Sequence, residues 1–424
     1  MAQRLDIAIV GAGPAGLAAA LFLHRAGHRV TIFERFGAAK PLGSGLILQP
    51  TGLSVLGALG LFDEIAALGS RIDRLFGADS VSGRAVLDVR YDAQKKGRFG
   101  VAVHRAALFG VLHRAVEAEG IAIVTGVDVD ALGVGSGRAT LIGPEARAIG
   151  SFDLVVDASG SRSKLAAFAR QAPRRRDLSY GAFWATLGWA GGDDFDPHAL
   201  VQRYQRASVM IGVLPIGRDR PDGREQAAFF WSLKSNDAEA VIRGGLDAWK
   251  TRVAGFWPAV APYLDQIESF DQLTLARYGH HTLKVPAGPR LAIIGDAAHS
   301  TSPQLGQGAN MALLDAAALA HAVDTSADVA TALDAYVRSR RRHVRIFQAL
   351  SAAFTPFYQS DSVLLPFVRD RIVATVAKVP PAPQLLAAMV AGTIVDPFSR
   401  IGIAETDWQR LETVRSCDMA VSTL

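Results

Sequence analysis

The stretch IAIVGAGPAGLAAALFL, residues 7–23, limits the fold more than any other feature of the chain. Its apolar run, glycine-rich turn and small-residue helix, followed by RVTIFE, spell a βαβ unit that opens a parallel sheet. Gly11 allows the tight turn, Gly13 lets a backbone approach a diphosphate, and Gly16 lets helix and sheet pack closely. The helix N-terminus then faces the anion. Glu34 ends the second strand 18 residues after Gly16, placed to accept hydrogen bonds from a ribose diol and to disfavour a 2′-phosphate.

Composition narrows the class. At 424 residues and 50% hydrophobic, the chain is too long for one small core and too apolar to be disordered. The net charge is +5, but the basic residues are scattered apart from Arg174–Arg176 and SRRRHVR from Ser339, so no nucleic-acid footprint is expected. The single cysteine, Cys417, excludes a disulfide framework and a thiolate metal cluster, and points to a reduced, cytoplasmic setting. The glycines and proline of the first apolar stretch argue against a signal peptide or membrane span.

Helices are expected over TGLSVLGALGLF and RAALFGVLHRAVEAEG, with IAIVTG and DLVVDAS as returning strands. Between Tyr180 and Lys234 the texture becomes alternating and aromatic (YGAFWATLGW, RASVMIGVLPIG, AAFFWSL), punctuated by turns such as DRPDG, which reads as an inserted antiparallel sheet. The chain then delivers IIGDAAHSTSPQLGQGAN, residues 293–310, in which a buried strand presents Asp296 and a glycine-rich loop opens another helix. A long helix is expected from Ala332 to Phe354.

In order and approximate spacing, GAGPAG with Glu34, VHRAALFGVL, DLVVDASGSRS and GDAAHSTSPQLGQGAN resemble the group A flavoprotein monooxygenases, typified by para-hydroxybenzoate hydroxylase and the ubiquinone-biosynthesis hydroxylases. The resemblance implies an α/β protein: a Rossmann-like FAD-binding domain of the glutathione-reductase type with an inserted antiparallel-sheet substrate domain and a helical C-terminal segment. The expected boundaries are 1–75, 98–177 and 271–350 for the first, 76–97 and 178–270 for the second, and 351–424 for the third.

By the same resemblance Gly11, Gly13, Ala15, Gly16, Glu34 and Arg35 would bind the ADP half of FAD, Arg105 would lie along the diphosphate and ribityl region, and Asp296 would hold the ribityl chain. Pro303, Gly306, Gly308, Ala309 and Asn310 would border the flavin ring, where a helix N-terminus suits the charge of reduced flavin. The implied reaction takes electrons from NADH or NADPH, or receives externally reduced flavin. Oxygen from O2 then passes through a flavin hydroperoxide to a phenol-like ring, in a site that excludes water.

Trp184, Phe230 and Pro215 are candidate substrate contacts, the first two being equally readable as core. Tyr278 and His280 in ARYGHHTL, with Pro303, are candidate catalytic residues, since a histidine there could take a phenol proton. His281 reads as hydrogen-bonded core or surface, and His299 as a support for its loop. No histidine spacing suggests a metal, and no Gly-x-Ser-x-Gly elbow suggests a hydrolase. The same scaffold also carries prenyl reductases, halogenases and non-catalytic flavin binders. The Trp-x-Trp-x-Ile-Pro pattern of the halogenases is absent.

Two features stand apart. In DLVVDASGSRSKL, Asp157 and Ser159 occupy positions where the family pattern has Gly and Asp, which places direct reduction by nicotinamide in question. Near the C-terminus, Leu364, Leu365, Phe367, Val368, Ile372, Val373 and Val376 interleave with Arg369, Asp370 and Arg371. That stripe predicts a helix packed on the protein, with weak contact to a membrane surface as the alternative.

Overall fold

The structure is a computed structural model describing residues 4–37, 44–135, 137–171, 175–409 and 411. Arg174 and Cys417 lie outside the described residues. The opening βαβ unit forms as expected, with strands Asp6–Val10 and Arg29–Glu34 flanking helix Pro14–Arg25. These strands sit in a six-stranded sheet ordered Ala287–Gly288, Leu291–Ile293, Leu154–Asp157, Asp6–Val10, Arg29–Glu34, Ala122–Thr125, parallel except at the Ala287–Gly288 edge. Covered on both faces, its central strands are continuous apolar runs.

The parallel order brings three turns to one sheet end: GAGPAG after Val10, DASG after Val156, and GDAA after Ile294. Contact between the first two is close enough to demand glycine. A Cβ on Gly11, whose φ is +107°, would lie 2.6 Å from the Ala158 carbonyl oxygen. One on Gly16 would lie 2.0 Å from the Gly11 oxygen.

The aromatic-rich stretch forms the antiparallel sheet its alternation predicts, with seven strands ordered Thr274–His280, Arg176–Gly188, Gln226–Lys234, Val209–Gly217, Ala199–Gln205, Arg74–Asp79, Ala85–Arg90. One pair, Arg74–Asp79 with Ala199–Gln205, is parallel. Period-two alternation divides its aromatics. Phe183, Phe229 and Trp231 pack under helix Leu246–Phe256 in a core with Trp249, whereas Trp184 and Phe230 face the other way. Two smaller sheets were not foreseen: Gly45–Leu48 with Gly100–His104 and Ser70–Ile72, and a three-stranded meander over residues 131–152.

The expected helix over residues 51–62 divides into Pro50–Ala58 and Phe62–Leu68, broken by Gly60 at φ +71°. Helices Arg105–Ala118, Gly308–Thr325 and Val329–Tyr358 form as expected.

The C-terminal segment corrects the sequence reading. Arg369, interleaved with the apolar stripe, is 1% exposed, while Leu364, Phe367, Ile372 and Val376, expected to pack on the protein, are each more than half exposed. The guanidinium lies within 5.2 Å of the Tyr204 and Tyr358 ring centres and donates to Asp370, the Phe357 carbonyl and the Arg206 carbonyl. Three acceptors and two aromatic faces offset the cost of burying the cation. The amphipathic segment is therefore turned inside out.

Candidate active site

The dinucleotide end is built from backbone. Glu34 is buried, its Oε2 accepting from the Ala12 amide at 2.8 Å and its Oε1 from the Phe36 amide at 3.1 Å. This fixes the carboxylate beside the GAGPAG turn. Nothing lies within 4 Å of a Cβ on Gly13, the N-terminal boundary of the first helix, so that side of the turn is open to an anion. Ala15 is buried inward, against Gly295 of the third turn. Arg35 is exposed and lies over the Phe36 ring, 4.6 Å from its centre.

Asp296 is exposed at the tip of the third turn, with Gly308 at the start of the next helix close to its carboxylate. The helix Gly308–Thr325 has no side-chain cap from Gln307, which leaves its first amides as donors. Pro303 is exposed on the short turn Pro303–Leu305, and Gly306 adopts φ +60°. The Asn310 side chain anchors this loop. It is fully buried, accepting from the Gln49 amide at 2.8 Å and donating to the Ile47 carbonyl at 3.1 Å and the Gly306 carbonyl at 2.9 Å. It pins the loop to strand Gly45–Leu48, leaving only its backbone for a ligand.

Sequence reasoning missed the support behind this loop. Asp315, fully buried two turns into the helix, accepts from the Gly295 amide at 2.9 Å, His299 Nε2 at 2.5 Å and Arg340 Nε at 2.7 Å. Burial opposes ionisation, but the Arg340 guanidinium and the His299 hydrogen bond prevail and hold its carboxyl well below the usual range. His299 thus supports the loop, as its position suggested. Arg340 belongs to the run SRRRHVR, whose Arg341, Arg342 and Arg345 are exposed as expected. The available signal was helical spacing: Arg340 falls on the buried face with Tyr336, Val344 and Phe347.

A second aromatic cluster lies on the face of the seven-stranded sheet opposite the Trp249 core. Trp184 and Phe230 are cross-strand partners with ring centres 4.7 Å apart, in a cluster with Val86, Tyr204 and Met210. Trp184 Nε1 donates to the Tyr278 hydroxyl at 2.8 Å. Burial pushes the Tyr278 phenol up to about 12, against the opposing effects of that hydrogen bond and the nearby Arg105 guanidinium. Tyr278 therefore remains a proton donor through the neutral range.

His280 pairs with Arg176 on the edge strand, and burial, with that arginine, lowers its pKa. His281 is buried, with Nε2 3.2 Å from the Ala297 carbonyl. Pro215 does not join Trp184 and Phe230. It pairs with Ala227 on the opposite sheet face and lines a cleft with Trp189 and His198. Pro215 is offset by an odd number of positions from the outward-facing Met210 and Leu214, which puts it on the other face of the strand.

Asp157 is buried with its carboxylate turned inward, accepting from the Ser159 amide at 3.1 Å, the Ser159 hydroxyl at 2.6 Å and the Ser163 hydroxyl at 2.5 Å. Burial raises its pKa, and the serine hydrogen bonds oppose that rise. Ser159 itself is exposed. The carboxylate missing from the turn surface is thus not replaced by its neighbour.

A parallel nucleotide-binding sheet joined at its loops to an aromatic antiparallel sheet defines a two-part flavoprotein architecture. The family described as "FAD binding domain" matches residues 4–175 and 259–350, and the chain belongs to that family. The FAD-dependent urate hydroxylase of Mycolicibacterium vanbaalenii is 26% identical over 344 residues, spanning 79% of this chain and 84% of that protein. The putative 2-heptyl-3-hydroxy-4(1H)-quinolone synthase of Rhodococcus erythropolis is 29% identical over 360 residues, 81% of this chain and 86% of that one. Klebsiella pneumoniae HpxO, solved with FAD and uric acid, shares the fold at a TM-score of 0.78 and 20% identity, over 92% of this chain and 97% of its own. The protein is an FAD-dependent monooxygenase of the group A, aromatic-hydroxylase type.

Proposed function

We propose that the chain hydroxylates a fused, nitrogen-containing heteroaromatic ring with an apolar substituent. The ring would lie against Trp184 and Phe230, with an oxygen on it accepting from Tyr278. The observation that carries this reading is the Trp184–Tyr278 hydrogen bond. By donating to the phenol oxygen, the indole leaves the phenol proton free for a ligand. The surrounding Val86, Met210 and Phe230, with Leu200 beside them, favour a quinolone-like ring bearing an alkyl group over a polar purine like that named for the urate hydroxylase.

Gly11, Gly13, Gly16 and Glu34 would hold the ADP half of FAD, Asp296 its ribityl chain, and the Gly308–Ala309 amides its ring. Bound FAD supplies the redox chemistry that activates O2 with electrons from NADH or NADPH. The protein's own part is to orient the ring, exclude water with the aromatic sheet, and offer a neutral His280 as acceptor for a ring proton. With no carboxylate exposed on the DASG turn, reduction by nicotinamide is proposed to be slow. Ser159→Asp is then expected to speed anaerobic reduction, and brisk wild-type reduction with no gain in the variant would sink that part of the reading.

The main test is anaerobic mixing of the FAD-loaded protein and NADH or NADPH with 2-alkyl-4-quinolones, urate and simple phenols, followed by admission of air. A quinolone is expected to accelerate flavin bleaching and to gain one oxygen atom by mass. Turnover of urate with quinolones inert would overturn the substrate class.

A further inference from the structure

The inverted C-terminal segment leaves the most concentrated apolar surface among the described residues. Val363, Leu364, Phe367, Ile372, Val376 and Val379 are each more than half exposed, within fewer than 20 residues of chain. Single exposed apolar side chains are ordinary, but a contiguous set of this kind marks a surface that something covers. Its orientation is fixed, because rotating the segment to bury these residues would expose Arg369 and break its contacts with Tyr204, Tyr358 and the Phe357 and Arg206 carbonyls.

Charge selects the occupant. Asp370 is the only acid between residues 363 and 385, and its carboxylate is paired with Arg369. Arg371 and Lys378 are exposed and make no ion pair among the described residues, so the unpaired charge that residues 363–379 carry is positive. A second copy docked on this face through a two-fold axis would bring these cations together with no acid opposite. An anionic lipid surface satisfies both halves: acyl chains receive the apolar side chains, and headgroup phosphates receive Arg371 and Lys378. None of the described helices is long and apolar enough to cross a membrane. The segment's short helical pieces, Leu364–Val368 and Ala374–Val376, are shaped to lie on a bilayer rather than span it.

We infer that residues 363–379 form a docking face by which the protein binds reversibly to the surface of bilayers containing anionic lipid. This does not depend on which ring the active site oxidises. The face is carried by the segment that Arg369 ties to Tyr204, whose ring belongs to the cluster around Phe230, so docking sets the ring site beside the bilayer.

The test is flotation of the full-length, FAD-loaded protein with phosphatidylcholine vesicles, with and without phosphatidylglycerol, alongside light scattering for oligomeric state. Wild type is expected to float with the anionic vesicles and to be released by salt and detergent. Phe367→Asp combined with Val376→Asp is expected to abolish flotation, while Arg371→Glu combined with Lys378→Glu lowers the anionic partition by roughly tenfold or more. All four positions are exposed, and unchanged flavin content and circular dichroism check that the variants fold. Wild type that ignores both vesicle types overturns the proposal. A dimer dissolved by the aspartate pair would then assign the face to a second copy, and flotation gained only on removing residues 412–424 would assign it to the chain's own C-terminus.

Discussion

Tyr278 and Asp315 show how much a single polar atom decides inside a low-dielectric environment. Tyr278 sits between an indole donor and a guanidinium, yet burial prevails and keeps the phenol protonated, which makes it an orienting donor rather than a base. Tyr278→Phe is expected to lower kcat/KM by roughly 3–10-fold if the ring oxygen it meets is neutral, and by roughly 10–100-fold if that oxygen is ionised. Steady-state kinetics with the identified substrate reads which. Asp315 works by compensation, with three donors on one buried carboxylate. Asp315→Asn leaves the Arg340 cation buried without its counter-charge, and is expected to cost about 3–5 kcal/mol in urea unfolding. A loss within experimental error would show that the arginine is satisfied by other groups.

The element that organises the cofactor loop is the helix Val329–Tyr358. Along its buried face Arg340 reaches Asp315, and Gln348 reaches the Ser300 carbonyl at 3.5 Å. Ser351 then bonds the Thr301 hydroxyl and, at 3.1 Å, the Ser302 hydroxyl, which is also 2.6 Å from that of Thr355. The loop is therefore stitched to one helix at three positions, Gln348, Ser351 and Thr355. Ser351→Ala removes two of these stitches. It is expected to cost about 1–2 kcal/mol and to raise amide exchange within residues 299–306 while leaving the parallel sheet unchanged. Equal protection in the variant would mean that the loop is held by its own turn geometry. The same helix ends at Tyr358, against Tyr204 of the other sheet, with ring centres 5.3 Å apart, so one element touches both halves of the site.

For the molecule as a whole, the buried histidines set the response to acid. His28, His104, His280, His281 and His343 all have lowered pKa values, with burial the largest cause in each, and His343 is pushed down to about 3. The unfolded chain takes up protons near pH 6.5 while the fold resists them, so stability is full above that pH and falls as the pH drops toward 3. Asp315 has the same sign, but acts only below the ordinary carboxylate range. The urea midpoint is expected to fall between pH 7.5 and 5.5, and to fall less in His343→Gln. A midpoint flat across that interval would contradict the assignment.

What the sequence determined by itself were the features carried by local spacing. Glycines in GAGPAG dictate a turn that a Cβ would block, alternation in YGAFWATLGW dictates a strand with two aromatic faces, and the order of the turns dictates where a dinucleotide can lie. These follow from backbone sterics and period. What only the tertiary structure decided were partners distant in the chain. Asn310 is spent on Gln49, Asp157 is turned inward by its serines, and Pro215 lies on the far face of its sheet. Arg369 is buried while the apolar residues around it in the chain stay exposed. In each case the free energy of desolvating a polar group is settled by which donors and acceptors the fold brings within reach.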